Sequence, residues 1–219
     1  MTRLILKPPL EILVATRNAG KIREIQEALG SLPVKLRNLD EFPNVSSIEE
    51  VGQTYQENAA LKALGYSKQT RLCALADDSG LEVEALGGMP GVFSARFGGE
   101  KASDAERIEK LLATLSEHPD SKRTARFVCC AALAGWQGEE QPMTQANPRL
   151  LKITEARCEG NIANAARGTS GFGFDPVFVP EDYSMTFAEL PHEVKATISH
   201  RALALKAMRQ FLDRWLAQT

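Results

Sequence analysis

The chain lacks an excess of either charge, a paired-cysteine motif and any long apolar run. With 26 Lys and Arg against 28 Asp and Glu, its formal net charge is −2. Long nucleic-acid surfaces need a basic field, so a nucleic-acid polymer is not the expected partner, while a single nucleotide is not excluded. Cys73, Cys129, Cys130 and Cys158 form no C-x-x-C pair and no Cys/His cluster at zinc spacing. They read as buried free thiols of a reducing compartment. No apolar run approaches the roughly 20 residues of a membrane span. The N-terminal stretch MTRLILKPPLEILVA is interrupted by Pro8-Pro9 and Glu11, unlike a signal peptide. These absences leave a soluble, cytoplasmic protein as the expectation, with no membrane partner.

What is present fits one globular unit. The 219 residues, 43% hydrophobic and 25% charged, suffice for a single domain over 1–219 with a sizeable core. The most unusual stretch is Ala76–Arg96, ADDSGLEVEALGGMPGVFSAR. Asp77 and Asp78 follow the apolar run Cys73–Ala76, which places them at a strand end ahead of a glycine-marked turn. Adjacent carboxylates repel and want water or a cation. They are consistent with a solvated turn, or with magnesium, which takes oxygen ligands and commonly keeps one or two carboxylates beside substrate phosphates.

Taken in order, Glu11–Ala15 predicts a strand, followed by the turn Thr16-Arg17-Asn18-Ala19-Gly20-Lys21 and a helix to about Gly30. Strand, polar turn, helix presents backbone N–H groups and a positive helix end to an anion. The Walker pattern is absent, and an ordinary capped helix is the alternative. Pro33–Leu39 predicts a second strand. Thr54–Ser67 predicts a helix preceded by the pair Glu49-Glu50, with Tyr55, Ala59, Lys62, Ala63 and Tyr66 along one side. Glu57 in its first turn either complements the helix dipole or serves a site.

Ser103–Glu117 carries a Ser103/Glu106 capping box and an apolar stripe, and reads as a structural helix. Ala125–Trp136 predicts a central, doubly buried strand, paired with Arg149–Arg157 across a loop over Gln137–Pro148. In Gly168–Pro180, GTSGFGFDPVFVP, glycines interleave with Phe172 and Phe174. This is either a buried glycine-rich hairpin or a loop offering rings to a flat ligand, where a stacked base gains about 1–3 kcal/mol. Lys195, His200 and Arg201 cannot share one face of a straight helix, since about 100° per residue puts His200 some 140° from Lys195. For all three to meet one ligand, the helix must break near Thr197–Ser199, with Ser199 as the next N-cap.

Four blocks together resemble the inosine triphosphate pyrophosphatase family: ATRNAGKIREI (15–25), TYQENAALKA (54–63), ADDSGLEVEALGGMPGVFSARF (76–97), and RGTSGFGFDPVF with FAEL and K-x-x-x-x-H-R (167–201). The resemblance implies an enzyme that hydrolyses ITP, dITP and XTP to the monophosphate and pyrophosphate. It implies an α/β fold, a long mixed curved sheet flanked by helices, with two lobes and the nucleotide cleft between them, in a homodimer. In similar proteins the turn matching Thr16, Asn18 and Lys21, here with Arg17, Ala19 and Gly20, holds the triphosphate. Asp78 matches the general base and a magnesium ligand. A glutamate before the T-[FY]-x-E-N-A helix shares the metal, which Glu49 or Glu50 matches. Ser79 should contact substrate, Phe172, Gly173, Phe174 and Asp175 match the block around the base, and Lys195, His200 and Arg201 match its remaining base and phosphate contacts. Arg17 stands where the family has glycine, and Phe174 where it has tyrosine. A catalytically silent nucleotide binder and a pyrophosphatase for modified pyrimidine nucleotides are the competing readings.

Overall fold

The computed structural model describes residues 9–117, 122–136 and 147–218. The first eight residues, part of the N-terminal stretch read above, lie outside them, as does most of the loop expected over 137–148. Six strands form one mixed sheet: β1 (Leu10–Val14), β2 (Val34–Asn38), β3 (Cys73–Val83), β4 (Thr124–Gly135), β5 (Arg149–Ile162) and β6 (Phe178–Pro180). Their spatial order is β2-β1-β3-β4-β5-β6. β1 pairs in parallel with β2 and β3, whereas β3, β4, β5 and β6 pair antiparallel in succession. Five helices flank the sheet: α1 (Ala19–Leu29), α2 (Tyr55–Thr70), α3 (Asp104–Ser116), α4 (His192–Ile198) and α5 (His200–Leu216). The α/β class and mixed sheet expected from the resemblance are what the chain adopts.

The local signals act as elementary chemistry dictates. Asn18 caps α1 by accepting the Lys21 N–H, and Ser103 and Glu106 close a capping box on α3. Glu57 does the same for α2: its carboxylate accepts the Gln53 and Thr54 N–H groups, so it is engaged as a cap. β4 reads TARFVCCAALAG and is apolar on both faces because both are covered. On one face Ala59, Ala63, Tyr55 and Tyr66 of α2 meet Ala74, Ala76, Ala132 and Ala134; small residues on both sides let the helix lie close. On the other, Ile25 and Leu29 of α1 and Leu205, Met208 and Leu212 of α5 pack on Ile12, Val14, Leu75 and Leu133. A third core occupies the far ends of β3 and β4, where Leu81, Val83 and Phe127 meet Leu111 and Leu115 of α3 with Phe178 and Phe187.

Two sequence expectations change here. β3 does not stop at Ala76; it runs eleven residues to Val83 and pairs with β4 along Ala74–Val83. Asp77 and Asp78 are therefore interior strand residues, 2% and 6% exposed, and not a wet turn. β5 likewise runs past Arg157 to Ile162, where it meets β6. The helix break at Ser199 is present: α4 ends at Ile198, and the Ser199 side chain accepts the Ala202 N–H to start α5.

Candidate active site

A strand alternates its side chains between sheet faces, and β3 uses this to separate its two aspartates. Asp78 points to the α2 face. There Asn58 Nδ2 donates to it at 3.1 Å, and Lys62 Nζ lies 3.6 Å from it and 3.1 Å from Glu50. Asn58 is itself oriented, since its Oδ1 accepts the Gly52 N–H at 2.8 Å, which fixes the segment carrying Glu50. Burial pushes the Asp78 carboxyl up to about 6, against the lowering charges of Lys62 and Lys21. Lys62 stays protonated: burial opposes its charge, but Asp78, Asp77 and Glu50 outweigh burial.

Asp77 points to the opposite face. Lys21 Nζ lies 3.1 Å from its Oδ2 and Arg201 Nε donates to the same oxygen at 3.0 Å. Burial alone would raise this carboxyl, yet Lys21, Arg201 and Lys62 hold it well below the usual carboxylate range. Arg201 is a hub: its other nitrogens donate to Glu24 at 2.6 Å and to Ser79 Oγ at 2.7 Å. Three of its five N–H donors are thus used within the protein.

A cleft of about 240 Å³ opens beside β3. It gathers Asn18, Lys21, Glu50, Lys62, Asp78, Ser79, Phe172, Gly173, Phe174, His200 and Arg201. All of these but Lys62 are expected site residues. Glu49 does not: it is exposed, while its neighbour Glu50 reaches the cleft. Arg17 and Ala19 are exposed and, with Thr16, lie outside the cleft wall. Gly20 is buried against Phe172, where any side chain would overlap the ring.

Phe172 and Phe174 differ in role. Phe174 is 4% exposed, packed against Phe97 at the cleft edge. Phe172 is half-buried beneath two cations, with Lys195 Nζ 5.1 Å and Arg201 5.4 Å from its ring centre. Asp175 braces the loop: it accepts the Phe172 N–H at 2.9 Å and pairs with Lys195. Burial raises its carboxyl despite Lys195. Lys195 also reaches Glu24 at 3.3 Å; it stands behind the aromatic loop and not on the cleft wall. His200 lies face to face with Phe127, ring centres 4.6 Å apart. Burial, then Arg201 and Lys195, drive its pKa well below the ordinary 6.5, so it is neutral, and its Nδ1 has no partner among the described residues.

Among cleft residues Lys62, Asp104 and Arg107, with Asn58 behind Asp78, carry no site assignment from sequence: Lys62 and Asn58 belong there to a helix stripe and a matched block, and Asp104 and Arg107 to a structural helix. A polar Asn and Lys on the buried side of α2 were the available signal. Nothing local marks Asp104, whose place depends on a loop far along the chain.

Fold and cleft define an α/β protein with a charge-lined site that sets buried carboxylates, cations and aromatic rings around one space. The chain belongs to the Ham1 family, whose model matches residues 12–211. It is similar to a dITP/XTP pyrophosphatase of Bacillus cereus, 42% identical over 205 residues covering 94% of this chain and 96% of that protein. A dITP/XTP pyrophosphatase of Geobacillus kaustophilus is 44% identical, covering 94% of each. Among solved structures, a HAM1 protein from Coxiella burnetii superposes with a TM-score of 0.81 at 44% identity, covering 94% of this chain and 99% of that one. A nucleoside-triphosphatase / dITP/XTP pyrophosphatase from Mycobacterium abscessus gives a TM-score of 0.69 at 41% identity, over 91% and 98%. The four sequence blocks thus pointed to the right family.

Proposed function

We propose that this protein hydrolyses deaminated purine nucleoside triphosphates, dITP, XTP and ITP, to the monophosphate and pyrophosphate. The observation that carries the reading is the split of the aspartate pair. One carboxylate is neutralised within the protein by Lys21 and Arg201, and the other faces the cleft in company with Lys62, Asn58 and Glu50. Relatives bearing the dITP/XTP pyrophosphatase name over nearly the whole chain support the substrate class.

Lys21, Asn18 and the first-turn N–H groups of α1 are suited to the phosphates, as an anion favours a helix start flanked by a cation. Asp78 is suited to accept a proton from water as that oxygen bonds the α-phosphorus and the bond to the leaving pyrophosphate breaks. A base with a pKa near the operating pH is the effective one, and burial brings Asp78 close to it. Lys62, a cation on the cleft wall, is suited to offset charge that grows on the phosphates.

Magnesium dependence is part of the proposal. Among the described residues no group of three or more His, Cys, Asp or Glu could hold a metal ion by itself. Two carboxylates, Asp78 and Glu50, share one neighbour in Lys62. That donor set fits an ion taking its remaining oxygens from water and substrate phosphates, so Glu50 replaces Glu49 as the proposed partner of Asp78. When bound, such an ion would neutralise phosphate charge and acidify nearby water.

Base choice is assigned to the ring wall and to His200. The 6-position of hypoxanthine and xanthine carries an acceptor where adenine carries a donor. A site with donors there rejects adenine through unpaired groups. A cytoplasmic location, expected from the composition, and a homodimer, which rests on the family resemblance alone, complete the reading; among the described residues no helix is long and apolar enough to cross a membrane.

The test is pyrophosphate release from dITP, XTP, ITP, dTTP, UTP and ATP, with and without magnesium. Release from the deaminated purines is expected. Nucleotide binding without release, or a preference for dTTP or UTP, would overturn the reading.

A further inference from the structure

The aromatic loop is held from two sides by two carboxylates acting on consecutive backbone N–H groups. Within the loop, Asp175 accepts the Phe172 N–H. From outside it, Asp104 at the start of α3 accepts the Gly173 N–H at 2.6 Å, across 69 residues of sequence. The other Asp104 oxygen accepts from Arg107 Nη1 at 2.6 Å, one turn along the helix. Asp104, Arg107 and Gly173 all border the cleft. Gly173 takes φ +61°, a left-handed conformation natural to glycine, and this turns its N–H toward α3 between the two rings. Asp175 is buried and bound to Lys195, so its half of the arrangement is fixed. The Asp104 side chain is 46% exposed, so its bond competes with water and is the half that can open.

We infer that Asp104 is a positioning residue for substrate: it latches the 172–174 backbone to α3 and so sets where Phe172 and Phe174 stand against the base. The inference rests on the nucleotide reading of the cleft. The latch is set on the base end: among the described residues, Asn18, Lys21, Lys62 and Asp78, which serve the phosphates in the proposed reading, make no hydrogen bond to Asp104 or Gly173. Arg107 holds the carboxylate in its bonding orientation, an i, i+3 pair on one helix face.

The experiment compares Asp104→Ala and Asp104→Asn with wild type, each checked for fold by circular dichroism and melting. Asp104→Ala should raise KM for dITP or XTP about tenfold, the order expected on losing a hydrogen bond to a charged acceptor, with kcat changed by less than about twofold. Inhibition by inorganic tripolyphosphate, which has no base, should be unchanged. Asp104→Asn keeps an acceptor oxygen and should recover most of the KM. Amide exchange at Gly173, measured without substrate, should accelerate in Asp104→Ala. Unchanged Gly173 exchange, or faster exchange with unaltered KM, would overturn the inference, as would equal weakening of tripolyphosphate. If wild type releases no pyrophosphate, the functional reading falls by itself, and Gly173 exchange together with nucleotide affinity still judges the latch.

Discussion

In the proposed reaction Asp78 carries opposite demands from folding and from proton transfer. Burial raises its carboxyl to about 6, from an ordinary 3.8. Between those values the folded state binds more protons than the unfolded one, so this group's contribution to stability falls as pH rises. Asp78→Asn should therefore leave stability unchanged or raised at pH 7 while cutting turnover about a hundredfold or more, the scale of general-base catalysis. Parallel melting and pyrophosphate assays check both halves. Retained turnover would show that the proton acceptor lies elsewhere, and a destabilised Asp78→Asn protein that pairing with Lys62 and Asn58 outweighs the carboxylate's burial.

His200 gives a pH signature of its own. Its folded pKa lies well below 6.5, so as pH falls below 6.5 the unfolded chain takes up a proton that the folded protein refuses. Stability should decline across that window. His200→Gln should flatten the decline between pH 6.5 and 5, read from urea midpoints at half-unit intervals. An unchanged slope would mean the imidazole charges freely in place.

At the scale of the element, β3 and the turn before α1 hold most of the meaning. An eleven-residue strand places neighbouring aspartates on opposite faces, so each joins a different helix partner. The α1 turn is coupled to the aromatic loop through Gly20, whose missing side chain leaves room for the Phe172 ring. Gly20→Ala should keep α1 helical, alanine being the better helix former, while displacing Phe172. A KM for dITP raised roughly tenfold or more, as small misplacements can cost, is expected, with far-ultraviolet circular dichroism unchanged. Wild-type KM in that variant would show that the ring yields without consequence.

For the whole molecule, Arg201 ties three elements together: α5 by its backbone, β3 through Asp77 and Ser79, and α1 through Glu24. It is 2% exposed. Breaking a buried ion pair by removing one partner typically costs about 3–5 kcal/mol, so Arg201→Ala should lose that much, measured by urea unfolding. A loss below about 1 kcal/mol would mean that Lys21 alone suffices for Asp77.

Much of this was legible in the residues. Periodicity and caps located the five α-helices to within a few positions: the Ser103/Glu106 box for α3, Ser199 as the cap that starts α5, and, for the sheet, the doubly apolar run of β4. These are local rules, set by backbone geometry and side-chain reach. The Asp77-Asp78 pair resisted, because alternation with glycine and glutamate resembles a turn until β4 supplies ten residues of pairing. The glutamate choice resisted too, since Glu49 and Glu50 are chemically equal and the Lys62 pairing of Glu50 and the Asn58–Gly52 bond arise only in the folded chain.

By itself, then, the sequence determined the elements, the family and most of the groups that line the cleft. Tertiary structure decided which carboxylate faces the cleft, that Glu50 and not Glu49 reaches that cleft and Lys62, that Lys195 and Asp175 brace the aromatic loop from behind, and that Asp104 touches Gly173. The reason is physical. Local propensity follows from neighbours a turn or a pleat away, whereas burial and ion pairing depend on groups brought within a few ångströms from tens of residues apart.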